Sequence, residues 1–113
     1  MADNLISAIC TPAGTGGVAI IRVSGAGAFE LAAKVFKPTG GVNVTDFQPN
    51  RMYTGKIQCD GFSDFGMCVL FKAPKSFTGE DVAEFHCHGG AEIARGVLKA
   101  TIGAGARAAE RGE

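Results

Sequence analysis

The sequence carries no net charge: eleven lysines and arginines are balanced by eleven aspartates and glutamates, and the basic residues form no run. The basic stripe that marks direct nucleic-acid binding is therefore absent from the chain as written. No stretch approaches the ~18 apolar residues of a membrane span. The start, Met1-Ala2-Asp3-Asn4, lacks the basic and apolar regions of a secretory signal. The four cysteines, Cys10, Cys59, Cys68 and Cys87, include no close pair, and three sit in apolar, strand-like contexts. Free cysteine is among the most buried residue types. These thiols are expected to be reduced core residues of a protein in a reducing cytoplasm.

What is present suits one domain. The chain has 113 residues, 46% of them hydrophobic, and a domain of this size buries roughly two thirds of the surface its unfolded chain exposes. There is no internal repeat and no interdomain linker. Leu5 to Cys10 and Val18 to Ser24 read as strands around the turn Thr11 to Gly17, whose residues are those that turns need. Ser24 is a candidate N-cap for a helix from Gly27 to Phe36, which Lys37-Pro38-Thr39-Gly40-Gly41 stops. Met52 to Cys59 and Phe65 to Ala73 form an antiparallel hairpin across Asp60-Gly61. Asp81 to His88 is a further strand. Gly89-Gly90 leads into a helix from Ala91 to Ile102 with Ile93, Val97, Leu98 and Ile102 as its buried stripe. The tail after Gly105 begins something strand-like. The order β-β-α-β-β-β-α predicts an α+β fold, a mixed or antiparallel sheet of about five strands with two main helices on one face. The strand around Met67 to Phe71 is apolar on both faces and needs cover on both sides, which points to a partner subunit.

The candidate sites crowd into one stretch, Lys72 to Gly90. Glu80 and Asp81 follow Thr78-Gly79 in a loop, where they are either a solvated turn or a carboxylate that accepts two parallel N–H bonds from a heterocycle such as a pterin. His86 and His88 share a strand face with Glu84, but the spacing is a poor zinc pattern. Cys87 points to the opposite face, away from its histidine neighbours, which argues against cysteine catalysis. Outside the stretch, Arg22 stands in an otherwise apolar strand. Arginine is rarely buried without a partner, so it either pairs with an acidic side chain or meets a ligand's anion or carbonyl. Gly25 and Gly27 sit where a dinucleotide fingerprint would open a helix, with Asp46 downstream, but Glu30 occupies the third glycine position. The one Gly-Lys pair, Gly55-Lys56, is followed by Ile57, so there is no phosphate-cradling loop and no nucleotide hydrolysis is expected from this chain.

Four stretches carry a resemblance: Ile9 to Val18, Ile20 to Gly25, Phe71 to Val82 with its Ser-Phe-Thr-Gly-Glu-Asp core, and Cys87-His88-Gly89-Gly90. Gly105-Ala106-Arg107 with Gly112-Glu113 adds the start of a fifth. In these the chain resembles the N-terminal domain of the tRNA modification GTPases, the MnmE/TrmE family. The resemblance implies a folate-binding and homodimerisation domain over residues 1–113, of which two copies resemble the single-chain aminomethyltransferase fold. The cofactor is a tetrahydrofolate carrying a one-carbon unit, 5-formyl- or 5,10-methylene-tetrahydrofolate, and Arg22 and Glu80 match the family's folate-contacting arginine and glutamate. The family's further lysine contact, helical domain, GTPase domain with its GTP, magnesium and potassium, and C-terminal cysteine lie beyond Glu113. The chain thus resembles part of a longer, cytoplasmic parent that modifies the wobble uridine of tRNA with a flavin-dependent partner protein, and it is not itself catalytic. A dimerisation module without a competent ligand site is the alternative. The sequence departs from the family pattern at Ala13, Thr15, His86, Arg111 and the Asp64-Phe65-Gly66 segment, and none of these touches Arg22 or Glu80.

Overall fold

A computed structural model describes residues 5–11, 17–76 and 78–110. The turn expected between Thr11 and Gly17 falls mostly outside the described residues, as do Phe77 and the last three positions. The described chain is an α+β fold: β1 (Ile6–Ile9), β2 (Val18–Ser24), α1 (Ala28–Val35), β3 (Phe36–Pro38), β4 (Tyr53–Gln58), β5 (Ser63–Phe71), β6 (Val82–His88), α2 (Ala91–Gly103) and β7 (Arg107–Ala108). A single 3-10 turn, Val44–Asp46, interrupts the irregular link from β3 to β4.

The sheet has seven strands in the order β3-β4-β5-β6-β2-β1-β7, where about five were expected. All neighbours are antiparallel except β1 and β7. The additional strands are the two edges. Phe36 leaves helical geometry at φ −127° and ψ 127°, and the Lys37-Pro38 pair that stops the helix continues as a strand on β4. Pro38 cannot donate to a ladder, which confines it to such an edge. At the other side, Arg107 N–H donates to Leu5 O at 2.9 Å and docks the tail on β1.

Alternation along the strands sorts the residues between two faces. Ala19, Ile21 and Val23 of β2 face Ala83, Phe85 and Cys87 of β6 across a seven-residue ladder. These residues, with Cys68 and Leu70 of β5, join Ala28, Leu31, Ala32 and Val35 of α1 and Ala94 and Val97 of α2 in one core. Both helices therefore cover the same face. Ile21, Val23 and Phe85 have no exposed surface, and each such side chain contributes roughly 1.5–3 kcal/mol of transfer free energy.

Two local expectations change. Ser24 does not cap α1: it pairs with Val82 as the last residue of β2, and Gly27, at φ 92°, stands before the helix without a side-chain cap. The buried line of α2 is Ala94, Val97 and Thr101, with Ile102 on the exposed side and Ile93 and Leu98 half-buried. Thr101 is tolerated in the core because Ser7 Oγ lies 2.8 Å from its Oγ1, which itself donates to Leu98 O at 2.7 Å. A polar residue so satisfied costs little to bury. On the helix-free face of the doubly apolar strand, Val69 is 3% exposed within this one chain, while Met67 is left 38% exposed.

Gly55 and Gly66 are direct cross-strand partners in the hairpin. A Cβ at Gly66 would lie 2.2 Å from His86 O, and one at Gly55 would lie 2.3 Å from Lys37 O. Both obstacles are backbone and cannot swing aside. Gly66→Ala is expected to destabilise the domain by about 1–3 kcal/mol, read as a lower urea midpoint; an unchanged midpoint would refute the close packing of β5 on β6.

Candidate functional site

The helix-free face carries the chemistry. Register places Arg22 of β2 directly opposite Glu84 of β6, near the middle of the sheet. Arg22 Nε and Nη2 donate to one oxygen, Glu84 Oε2, at 3.0 and 2.8 Å. His86 Nε2 is 3.1 Å from the other oxygen, Oε1. An ionised carboxylate only accepts, so Nε2 carries the proton. The Glu84 side chain is 7% exposed and that of Arg22 is 29% exposed. The charge of Glu84 is thus compensated on both oxygens while Arg22 keeps contact with solvent. The hydrogen bond from His86 is the largest influence holding the Glu84 carboxyl below its ordinary range; burial opposes it, and Arg22 adds hydrogen bonds and charge on the lowering side.

The Glu80 loop is tied to the same strand. Ser24 Oγ lies 2.7 Å from Thr78 Oγ1, and Gly25 N–H donates to Asp81 O at 2.9 Å. Ser24 is two residues beyond Arg22 and shares its face. Ser76 Oγ donates to Glu80 O, and Glu80 N–H donates to Thr78 Oγ1 at 3.3 Å. Gly79 takes the left-handed geometry, φ 80°, that turns the chain there. Asp81 is half-buried and accepts from Ala73 N–H at 2.9 Å through Oδ1. Glu80, by contrast, is exposed, so of the adjacent acids Asp81 closes the loop and Glu80 faces outward.

The two histidines diverge. His86 serves Glu84, whereas His88 Nδ1 lies 2.8 Å from Asp64 Oδ1 and its backbone N–H donates to Asp64 Oδ2 at 2.9 Å. Among the described residues, no group of three histidine, cysteine or acidic side chains has the proximity to hold a metal ion. Cys87 is buried on the helix side, with its Sγ 3.6 Å from Ala19 O. Burial first, then the charge of Asp64, pushes the Cys59 and Cys87 thiols up to about 11 each, and burial pushes Cys68 higher still. Thiols held protonated in this way are poor nucleophiles at neutral pH.

Sequence reasoning named Arg22 and Glu80 and foresaw an acidic partner for Arg22 as one option, but it did not identify Glu84 as that partner. The signal was present in the shared strand face of Glu84 and His86; the missing piece was the β2–β6 register.

The family model described as GTP-binding protein TrmE N-terminus matches residues 5–113. The chain belongs to the TrmE N-terminal family. It is 43% identical over 113 residues to the tRNA modification GTPase MnmE of Nitratidesulfovibrio vulgaris strain DP4, covering 98% of this chain and 24% of that protein. It is 42% identical over 116 residues to the protein of the same name from Heliobacterium modesticaldum, covering 100% of this chain and 25% of that one. The Moorella thermoacetica protein is 43% identical over 116 residues, with 100% and 25% covered. This TrmE-family chain spans about a quarter of the length of these relatives.

Two outcomes are expected. Native protein should react with an aromatic disulfide reagent at Cys10 alone, the one exposed thiol, and at all four cysteines after unfolding; fast native labelling of Cys87 would contradict its burial. The second concerns Glu84. A carboxyl whose folded pKa is depressed contributes stability above its unfolded value, near 4.3, and loses it as pH falls through the folded value. The stability gap between wild type and Glu84→Gln should thus be widest at neutral pH and narrow below pH ~4. Urea denaturation at pH 7 and pH 3.5 measures it, and a gap independent of pH would show that Glu84 is not an ionised partner.

Proposed function

We propose that this domain binds a tetrahydrofolate carrying a one-carbon unit, as 5-formyl- or 5,10-methylene-tetrahydrofolate, and that it pairs with a second copy of itself. The observation that carries the reading is the arginine held at mid-sheet by a buried carboxylate, with an outward-facing glutamate on a loop tied to the same strand. This donor set fits a reduced folate. A pterin presents a ring N–H and an amino group side by side, which one carboxylate accepts as two parallel charge-assisted bonds; Glu80 supplies that carboxylate. Arg22 supplies a cation for the ligand's carbonyl, one-carbon group or terminal carboxylates, and Glu84 with His86 limits the orientations it can take. The folate supplies the one-carbon unit; the chain's own residues bind and orient it.

The self-association reading rests on apolar side chains left in solvent on the helix-free side: Val18 is 54% exposed, Phe65 58% and Met67 38%. With His86 and His88 they line a cleft of about 250 Å³. The same observation favours the second reading, a dimerisation module that holds no ligand. In the longer parent, this domain would present the one-carbon donor for modification of the tRNA wobble uridine, together with a flavin-dependent partner protein. GTP hydrolysis with magnesium and potassium would belong to a separate domain. A cytoplasmic setting suits that role, and no helix among the described residues is long and apolar enough to cross a membrane.

Calorimetric titration with 5-formyltetrahydrofolate, run beside sedimentation equilibrium, separates the readings. Charge-assisted hydrogen bonds are worth about 1.5–3 kcal/mol each, so Glu80→Ala and Arg22→Ala should each weaken binding by roughly tenfold or more. Binding that is equal in wild type and Glu80→Ala would remove Glu80 from the site. Dimers that bind no folate, both in this chain and in one extended past Glu113, would favour the dimerisation module.

A further inference from the structure

Lys37 and Lys56 stand directly opposite each other across the β3–β4 ladder. Both are exposed, and the ion pairs among the described residues include neither. Like charges at directly opposed positions repel, so this arrangement costs the sheet stability. Beside the pair, where the end of α1 meets the edge strand, lies a cleft of about 440 Å³ lined by Lys34, Phe36, Lys37, Lys56, Gln58 and Ser63 among others. No carboxylate lines it among the described residues. Lys34 Nζ reaches Ala104 O at 3.4 Å, so its charge sits at the end of α2. Gln58 Nε2 donates to Cys59 O at 2.9 Å and Phe62 O at 3.1 Å, which ties this wall to the hairpin turn. The cleft is thus left with two ammonium groups that no acid neutralises and the hydroxyl of Ser63.

We propose that this edge cleft binds a phosphate group, borne by a polyphosphate or by the backbone of an RNA strand, between Lys37 and Lys56 with Ser63 as a hydroxyl donor. Two compact ammonium charges answer a dianionic, tetrahedral group, whereas a lone carboxylate would leave one of them unmatched. An anion between them also relieves the cross-strand repulsion, so the ligand and the sheet stabilise each other. The site is independent of the Arg22 and Glu80 cluster and does not rest on folate binding.

The 113-residue chain, labelled with nitrogen-15, is titrated separately with sodium tripolyphosphate and with a short single-stranded RNA at low and physiological salt. Saturable shifts at the Lys37, Lys56 and Ser63 amides are expected. The double variant Lys37→Ala/Lys56→Ala should bind at least tenfold more weakly and show a salt slope shallower by roughly 1–2. Arg95→Ala/Lys99→Ala, which removes the same charge from α2, should bind like wild type. Saturation by RNA alone identifies a strand, and saturation by tripolyphosphate identifies the phosphate group itself as sufficient. A lack of saturation by both probes, or an equal loss in the α2 variant, overturns the site. Lys56→Glu keeps loss of the site distinct from loss of the fold: it should raise Tm in phosphate-free buffer while abolishing binding. A lowered Tm would overturn the claim that the lysine pair is held at a cost.

Discussion

The ladder between β2 and β6 is the constraint on which the rest depends. It joins segments some sixty positions apart, from Val18 opposite His88 to Ser24 opposite Val82. Because side chains alternate, that register performs two tasks at once. It sends Ile21, Val23 and Phe85 under the helices, and it sets Arg22 against Glu84 on the other face. A slip of one residue would drive a guanidinium and a carboxylate into the core and expose the apolar set. Burial of the apolar face is therefore what holds the polar pair in place, and the pair in turn penalises every alternative register.

The two faces of the sheet consequently have different chemistry. On the helix side, thiols, a threonine and aliphatic chains are packed or fully hydrogen-bonded, and the cysteines there stay protonated. On the other side, Arg22 with Glu84 and His86 forms one compensated charge group, and at the end of β6 His88 meets Asp64, whose charge also bears on the Cys59 and Cys87 thiols. Lys37 and Lys56 break the pattern as a like-charged pair at the edge. Among the described residues, the carboxylates of Glu84, Asp64 and Asp81 are engaged as hydrogen-bond acceptors, while Glu80 is exposed.

Much of this was legible beforehand. The period-2 runs located the five principal strands and the 3.6-residue pattern located both helices, because burial of one face imposes those repeats. The Asp60-Gly61 hairpin followed from turn chemistry. Arg22 stood out because an arginine inside an apolar strand requires a partner, and Glu80 because a Thr-Gly turn lifts it clear of the strand. The failures were equally physical. Ser24 has the composition of a helix cap, yet its backbone was claimed by pairing with Val82. Ile102 looked more buried than Thr101 by hydropathy, but the hydroxyl of Ser7 gave Thr101 a partner in the core. Phe36-Lys37-Pro38 reads as a helix stop, and only the open edge of β4 makes it a strand.

By itself, then, the chain determined the five principal strands, the two helices and the hairpin turn, how its acidic and basic groups are counted, and which family it resembles, since all of these follow from local spacing and composition. Tertiary structure alone decided which acid meets Arg22, that Asp81 closes the loop and leaves Glu80 outward, and that two lysines nineteen positions apart share one cleft. Those are facts of register and strand order. They arise when distant segments pair to bury a common apolar face, and no local pattern records which partner each strand will take.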